Sequence, residues 1–315
     1  MTTAAPLVFG PVPSRRLGKS VGINNIPPKT CSYSCIYCQL GSGAPVPPQR
    51  QDFYDPGLIL SQTRDKLEKA CLTHEAIDYL TIVSDGEPTL DRSLGQLIRD
   101  LSALGIKVAV ITNASLLWSA HVREALYPAD WVSVKIDTLD PATWRKTDRP
   151  FRGLCFRKIL NGIEDFSKAF TGHLVTETML VQGKNDTPDG LEATAEFVRS
   201  LSPRTSYLSV PTRPPAVKSV RPPREDALNR AWQIFTTRGI TTEYLIGYEG
   251  NEFAFTGDVE TDLLSITAVH PMREDAVMAY LKKADSKFSA IETLVKEKKI
   301  LINTYGKERF FMRQL

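Results

Sequence analysis

The sequence has no apolar run close to the roughly 20 residues that a transmembrane helix needs. It also has no long block of one charge sign. Its 39 basic and 36 acidic residues leave a net charge of +3. So small an excess does not indicate nucleic-acid binding by charge alone. No internal repeat is visible. These absences predict a protein without a membrane partner, located in the cytoplasm.

Cysteine is scarce and unevenly placed. The chain has five cysteines, an odd number that does not suit a framework of disulfide bonds. Three of them, Cys31, Cys35 and Cys38, fall within eight positions. This crowding indicates metal ligands in a reducing compartment rather than structural disulfides.

Short apolar strands alternate with helical segments through most of the chain. The composition is globular, with 42% hydrophobic and 24% charged residues, and 315 residues suit one barrel-sized domain with a small appendage. Six strands are predicted, at 20–24, 79–83, 108–111, 131–134, 174–181 and 207–210. Apolar strands separated by helices form parallel sheets with right-handed crossovers. Six units are too few to close a full barrel, so the sequence predicts an α/β fold with a partial (βα)6 barrel.

The chain changes character after the sixth strand. A Pro-rich stretch at 211–223 predicts a loop or crossing arm, a weaker strand is predicted at 241–246, and 247–257 resembles a loop. Beyond it, three short helices and a hairpin around Tyr305, Gly306 and Lys307 predict a winged helix. The predicted domains are therefore 1–258, the barrel with its Pro-rich arm, and 259–315, the winged helix.

The cysteine loop carries the strongest functional signal. Three thiolates from one loop can bind three corners of an iron–sulfur cubane and leave one iron open, whereas a structural zinc site is normally closed by a fourth protein ligand. Cys71 and His74 are the candidates for that ligand. Helical periodicity instead places Cys71, like Cys155, on an apolar face, which predicts a buried cysteine. The sequence favours a 4Fe-4S cluster and leaves zinc as the alternative.

At these residues the chain resembles the radical S-adenosylmethionine superfamily. Cys31, Cys35 and Cys38 match the cluster motif of that family, and the aromatic Tyr37 precedes the third cysteine as the family prefers. Other polar residues follow predicted strands, where the sites of βα barrels gather. The turn after the second strand is similar to the family's Gly-Gly-Glu turn, with Asp85 in place of the first glycine. The resemblance implies cofactor contacts from Tyr37, Ser84, Asp85, Gly86, Glu87, Thr112, Asn113, Lys135 and Asp137.

Three further stretches are similar to a branch of the superfamily related to the wyosine-type tRNA-modifying radical enzymes. They are residues 9–18, Gln39 to Gly41, and 179–186. The wyosine enzymes hold a second cluster on additional upstream cysteines, and residues 1–30 contain no cysteine. This departure argues against wyosine chemistry itself and leaves the shared radical-forming step unaffected.

The resemblance implies an enzyme that binds one 4Fe-4S cluster and S-adenosylmethionine. Cys31, Cys35 and Cys38 would be both the metal ligands and the catalytic residues. Reductive cleavage of the cofactor, with an electron donor such as flavodoxin or ferredoxin, would yield a 5′-deoxyadenosyl radical for oxidoreductase chemistry. RNA, as in tRNA modification, is the leading substrate hypothesis, and a protein or peptide is the alternative. A rival from another class is a DNA-binding regulator with a winged helix and an iron–sulfur or zinc site.

Overall fold

The computed structural model describes residues 7–246, 253, 255, 257–269 and 271–314. Within these residues the first part of the chain forms an eight-stranded sheet. Its strands are β1 (Val8–Ser14), β2 (Gly18–Ile23), β3 (Tyr79–Ile82), β4 (Lys107–Thr112), β5 (Trp131–Lys135), β6 (His173–Met179), β7 (Thr205–Ser209) and β8 (Thr242–Leu245). Most of the predicted loop at 247–257 lies outside the described residues.

Helices connect the strands and cover the outer face of the sheet. They are α1 (Pro56–Leu72), α2 (Leu94–Ser102), α3 (Ala120–Leu126), α4 (Pro141–Thr147), α5 (Phe156–Ala169), α6 (Pro188–Ser200) and α7 (Glu225–Thr237), with one 3-10 turn at Pro88–Leu90. Two of the helix starts follow from sequence. Asp55 and Asp140 cap α1 and α4 through side-chain oxygens, and a proline occupies the first helical position of each.

Strands β2 to β8 are parallel and lie side by side in sequence order. They form a curled half-barrel, which confirms the predicted α/β partial barrel in outline. The predicted number of strands is wrong. The weak strand at 241–246 joins the sheet as β8, which makes seven parallel strands among the described residues. The Pro-rich lead-in forms β1, antiparallel to β2, with a register shift between Phe9 and Val12. Proline cannot donate to a ladder, so such a strand is stable only at an edge or bulge.

The C-terminal part has its own elements and its own core. It contains α8 (Val259–Val269), β9 (Met272–Arg273), α9 (Glu274–Lys283), α10 (Ser289–Lys296), β10 (Ile300–Tyr305) and β11 (Glu308–Arg313). The strands form an antiparallel sheet in the order β10-β11-β9. We call residues 258–314 the tail. Its buried core includes Leu263, Met272, Tyr280, Ile291, Leu294 and Phe311. The three helices and the hairpin expected from the sequence are thus present.

The tail packs against the first elements of the barrel. Val12 of β1 is partly buried against the tail core. Lys66 of α1 lies 3.7 Å from the Asp262 carboxylate, to which the Tyr280 hydroxyl donates at 3.0 Å. Glu75, just beyond α1, accepts hydrogen bonds of 2.6 Å from both Lys19 and Lys283. Charged groups from both parts of the chain therefore meet in one interface.

None of the described helices has both the length and the apolar character of a transmembrane segment.

Candidate functional site

The three cysteines line one cavity of about 400 Å³ at the carboxyl end of the parallel strands. Most of the predicted site residues line the same cavity, namely Tyr37, Ser84, Asp85, Gly86, Thr112, Asn113 and Lys135. Glu87 and Asp137 do not line it and lie behind its wall, each almost fully buried. The structure therefore gathers residues from four separate segments of the sequence, as expected when parallel strands end at one edge.

Backbone pairing fixes the cysteine loop to the segment that follows α4. The Ser34 amide donates to the Asp148 carbonyl at 3.0 Å, and the Phe151 amide donates to the Ser32 carbonyl at 2.9 Å. Between them, Tyr33 packs edge-on against Trp144, whose indole N–H donates to the Tyr33 hydroxyl at 3.1 Å. The loop is therefore positioned by contacts with protein groups.

Amide groups surround the first thiol. The Tyr33 amide and the Asn113 side-chain amide each donate to the Cys31 sulfur at 3.4 Å. Burial raises the pKa of the Cys31 thiol to about 12, and burial together with nearby Asp148 raises the pKa of Cys35 well above its ordinary value. A metal bound at these thiols would therefore displace their protons, and the N–H donors would stabilise the charge on the Cys31 sulfur.

The spread of potential ligands bears on the choice between a cluster and zinc. Among the described residues, no three Cys, His, Asp or Glu side chains are gathered closely enough to hold a single metal ion. A zinc ion would require its sulfur ligands to converge to about 2.3 Å from one point. A cubane binds each cysteine at a different iron, so its ligands stay apart. The geometry therefore favours the cluster.

The prediction that Cys71 and Cys155 are buried is wrong, because both are exposed. Helix α1 buries a stripe that includes Ile59, Thr63 and Ala70, and Cys71 lies one residue, or about 100°, around the helix from Ala70. Cys155 precedes the first turn of α5 as its N-cap, so helical periodicity does not apply to it. Neither cysteine lines the cavity.

Gly86 brings the β3 turn against the cysteine loop. A Cβ atom at this position would lie 2.0 Å from the Thr30 carbonyl oxygen, and that oxygen accepts a hydrogen bond of 2.9 Å from the Glu87 amide. No side chain fits such a close approach of two backbones. Glycine is therefore needed where the turn and the loop touch.

Glu87 connects the β3 turn to the β4 turn. Its carboxylate accepts hydrogen bonds from the Thr89 backbone amide and hydroxyl at 3.0 and 2.5 Å. It also accepts from the Thr112 hydroxyl at 2.6 Å and from the Asn113 backbone amide at 2.7 Å. Burial raises the pKa of Glu87, while these bonds oppose that rise. The sequence predicts Glu87 as a cofactor contact. The structure shows its carboxylate occupied by protein donors, one of them the backbone amide of Asn113, and its contact with a cofactor stays a prediction.

Asp85 differs from Glu87 because one of its two carboxylate oxygens accepts no hydrogen bond from the described residues. The Asn24 side-chain amide donates to Oδ2 at 2.9 Å, whereas buried Oδ1 has no hydrogen-bond partner among the described residues. Asp85 is 3% exposed and lines the cavity. Burial raises its pKa to about 7, and Asn24 and Arg313 act in the opposite direction. An unpaired carboxylate oxygen at the cavity wall suits a cationic ligand group.

A buried polar network lies behind the second cysteine. The Tyr37 hydroxyl donates to Asp148 at 2.8 Å and is hydrogen-bonded to Asp137, while the Cys35 thiol donates to Asp148 at 3.5 Å. Lys135 lies over the Tyr37 ring, 4.8 Å from its centroid. Burial and the Asp137 charge raise the pKa of Asp148. The Met179 amide donates to Asp137 at 2.8 Å, so Asp137 orients groups around Tyr37.

Sequence reasoning missed Asp148 and Glu177. Asp148 follows α4, a helix absent from the predicted elements, so nothing in the sequence connects it to the cysteines. Glu177 lies on β6 and pairs with Arg16 at 2.5 Å. Arg16 is also held between the rings of Trp131 and Tyr207, 5.8 and 5.9 Å from their centroids. Arg16 and Glu177 both line the cavity, so the turn between β1 and β2 forms part of its wall.

Comparison with known proteins agrees with this geometry. The family model described as the radical SAM superfamily matches residues 25–198. A UPF0026 protein of Methanocaldococcus jannaschii is 42% identical over 98% of this chain and 96% of its own length. Two solved structures, each 13% identical, show the same fold. A radical SAM methyltransferase from Sphaerobacter thermophilus has a TM-score of 0.55, covering 72% of this chain and 66% of that chain. Streptococcus suis SuiB bound to S-adenosylmethionine has a TM-score of 0.52, covering 71% and 49%.

Proposed function

The chain belongs to the radical S-adenosylmethionine superfamily, whose enzymes use a 4Fe-4S cluster and S-adenosylmethionine, and from this we propose that it reductively cleaves that cofactor and modifies a substrate by radical chemistry. The observation that carries the proposal is the convergence of Cys31, Cys35 and Cys38 on one cavity with the turns after β3 and β4. A DNA-binding regulator would have no use for these turns around the thiol groups.

The residues around the cavity fit both groups. Cys31, Cys35 and Cys38 would hold three irons, and the amide groups of Tyr33 and Asn113 are placed to stabilise charge on the Cys31 sulfur. The unpaired Oδ1 of Asp85 would accept from the aminium group of the cofactor, next to Ser84 and Gly86. When bound, the two groups together supply a 5′-deoxyadenosyl radical that abstracts hydrogen from the substrate.

Other residues of this chain position the site and exclude water. Glu87 fixes Asn113 and Thr112, and Asp137 and Asp148 orient the Tyr37 hydroxyl. The rings of Tyr37 and Tyr33 are almost fully buried, which shields the second cysteine from solvent. Lys135 places a positive charge at the cavity wall, where it would attract the carboxylate of the cofactor. These roles for Tyr37, Lys135 and Asp137 are part of the proposal.

The test is anaerobic reconstitution with iron and sulfide, followed by reduction with dithionite in the presence of S-adenosylmethionine. We expect slow formation of 5′-deoxyadenosine and methionine without added substrate, measured by mass spectrometry. Wild-type protein with a reduced cluster that formed no 5′-deoxyadenosine would overturn the proposal.

For the substrate we propose RNA, as in tRNA modification, with the tail as a winged helix that recruits it. Three helices, an antiparallel sheet and a hairpin are the components of such a module, and Lys287 and Lys296 are exposed on it. The test is whether RNA copurifies with the chain and resists washing at high salt. Protein or peptide modification is the alternative if no RNA is retained.

A further inference from the structure

Exposed positive charge is concentrated beside the cysteine loop. Six side chains form what we call the basic patch: Arg145, Lys146, Arg149, Arg152, Arg157 and Lys158. All six are exposed, and none forms an ion pair with another described residue. From 145 to 158 the sole carboxyl side chain is that of Asp148, which is buried. The patch therefore presents one sign of charge to solvent.

Such a patch gives the chain no stability of its own. Like charges repel within a Debye length of about 10 Å at 0.1 M salt, and exposed Asp140, which interacts with Lys146, offsets only part of this repulsion. A concentration of one charge sign does, however, steer an oppositely charged partner and accelerate association. The composition of the patch therefore points to a partner with an acidic surface.

The basic patch is joined directly to the loop that carries the thiol groups. The Ser34 amide donates to the carbonyls of Asp148 and Arg149 at 3.0 and 3.2 Å. Tyr33 forms an isolated β-bridge with Pro150. The Cys35 thiol reaches the Asp148 carboxylate at 3.5 Å. A molecule bound at the patch would thus contact a segment that is itself hydrogen-bonded to the cysteine loop.

The patch is separate from the cavity. All residues from 141 to 158 are described, and none of them lines the cavity. A substrate has to bring its reacting group into the cavity, next to the residues that would hold the cofactor. A reductant has only to approach the cluster, and the outer side of the cysteine loop gives that approach. The location therefore favours a reductant over a substrate.

We propose that the basic patch docks an acidic protein that carries a low-potential redox group and delivers one electron to the cluster. The inference rests on the proposed function, because it presumes a cluster on the three cysteines. In this step the donor is oxidised by one electron and the cluster is reduced by one. No bond forms or breaks, and no proton needs to move.

The experiment reverses two charges of the patch and compares the effect with reversal elsewhere. The test variant is Arg152→Glu with Arg157→Glu. The control is Arg64→Glu with Lys168→Glu, two exposed residues outside the patch, the second at the far end of the same helix as Arg157. Reduced flavodoxin, a small acidic flavoprotein, is the probe. Stopped-flow bleaching of the cluster gives the reduction rate, and fluorescence anisotropy of labelled flavodoxin gives its affinity for the chain without a cluster.

We expect the test variant to be reduced by flavodoxin about tenfold to a hundredfold more slowly than wild type at low salt, with a matching loss of affinity. Added salt should slow the wild type and leave the variant almost unchanged. The control should behave as wild type, and all three proteins should cleave S-adenosylmethionine equally with dithionite. Reduction of the test variant at the wild-type rate would overturn the inference.

A nucleic-acid role for the patch gives a different result. A test variant that kept its reduction rate and bound total tRNA more weakly than the control would show that the patch contacts RNA, and docking of a reductant would be rejected. Failure of the proposed function is separately visible, because dithionite would then produce no 5′-deoxyadenosine in any of the proteins. The affinity measurement without a cluster would still report on the patch.

Discussion

At the scale of single residues, two neighbouring carboxylates have opposite roles. Glu87 accepts four hydrogen bonds from the protein, so it has little capacity left for a ligand. Asp85 keeps one buried oxygen without a partner in the described chain, at a cost of about 1–3 kcal/mol for a polar group of this kind. A cationic ligand group would recover that cost. We therefore assign the proposed ligand contact at this turn to Asp85, the residue in place of the family's glycine.

The thiol groups give the first prediction. Replacing Cys31, Cys35 or Cys38 by Ala should remove the visible absorbance of the cluster, because each would bind a different iron. Cys71→Ala and Cys155→Ala are matched controls, since both side chains are exposed and outside the cavity. They should retain about four irons per chain. Iron and sulfide analysis checks this, and one zinc without sulfide in the wild type would contradict it.

Asp85 gives a prediction on pH and stability. Its pKa is raised from 3.8 to about 7, so the folded chain favours the neutral carboxyl. The stabilisation from this proton is complete below pH 3.8 and is lost as the pH rises through about 7. Asp85→Asn imitates the neutral form. It should equal wild type near pH 4 and exceed it at pH 8 by up to about 4 kcal/mol, since one pKa unit is worth about 1.4 kcal/mol.

Urea unfolding of both proteins without cofactor at each pH measures this difference, because the other titrating groups are common to the two chains. A difference that did not change with pH would show that folding does not raise the pKa of Asp85. The same variant should bind S-adenosylmethionine about tenfold to a hundredfold more weakly, through loss of a charged hydrogen bond worth about 1.5–3 kcal/mol. Equilibrium binding measures that loss without turnover.

At this scale the sequence predicts the thiol groups well and their neighbours poorly. The spacing of Cys31, Cys35 and Cys38 is local, so one loop is enough to reveal it. Asp148 reaches Cys35 from 113 positions further along the chain. Backbone hydrogen bonds and the packing of Tyr33 against Trp144 bring the two segments together, and no periodicity in either segment encodes that pairing.

At the scale of elements, the site depends on contact between turns that follow different strands. The β3 turn touches the cysteine loop at Gly86, and Glu87 then ties the same turn to the start of the loop after β4. The parallel strands bring these turns to one edge of the sheet. The geometry of the thiol groups therefore depends on a backbone contact that contains no ligand.

This contact gives a prediction for Gly86→Ala. The added methyl group would lie 2.0 Å from the Thr30 carbonyl, so the cysteine loop would have to move away. We expect a loss of about 1–3 kcal/mol in the free energy of unfolding and a lower iron content, although every ligand remains. Gly43→Ala is the control, because a Cβ there meets nothing closer than 4.0 Å. Equal iron content in the two variants would contradict the proposed role of the contact.

Of the two edge strands, sequence analysis missed β1 and predicted β8 only as a weak strand outside the six barrel units, and both outcomes have one physical cause. β1 contains three interruptions to a strand pattern, Gly10, Pro11 and Pro13, and is stable because β2 pairs with it at the sheet edge. β8 is weakly apolar and joins the sheet through β7. Both depend on a neighbouring strand for their stability. The inner strands β3 to β7 were predictable because short, largely apolar stretches alternate with helical segments, and the two edge strands make the sheet wider than six strands.

At the scale of the whole molecule, the tail and the barrel share buried charged groups. Asp262 is 1% exposed and lies between Lys66 of α1 and Tyr280 of α9. At the other end of the tail, the Tyr305 hydroxyl donates at 3.2 Å to the carbonyl of Pro211, a residue that lines the cavity. These contacts lead us to expect that the tail supports the wall of the site. The domain boundary at 258 stays a prediction.

Coupling between the tail and the barrel gives the last prediction. Trp118, Trp131, Trp144 and Trp232 all lie in the barrel, so tryptophan fluorescence reports on that part of the chain alone. Asp262→Ala removes the carboxylate between Lys66 and Tyr280 and leaves a mostly buried ammonium group without this partner, at a cost of about 3–5 kcal/mol for such a pair. Lys287→Ala, at an exposed position of the tail, is the control. If the two parts unfold together, the fluorescence transition of Asp262→Ala should move to lower urea, in step with loss of helix by circular dichroism. A fluorescence transition at the wild-type urea concentration, with an earlier partial loss of helix, would show that the tail unfolds by itself and that the barrel does not depend on it.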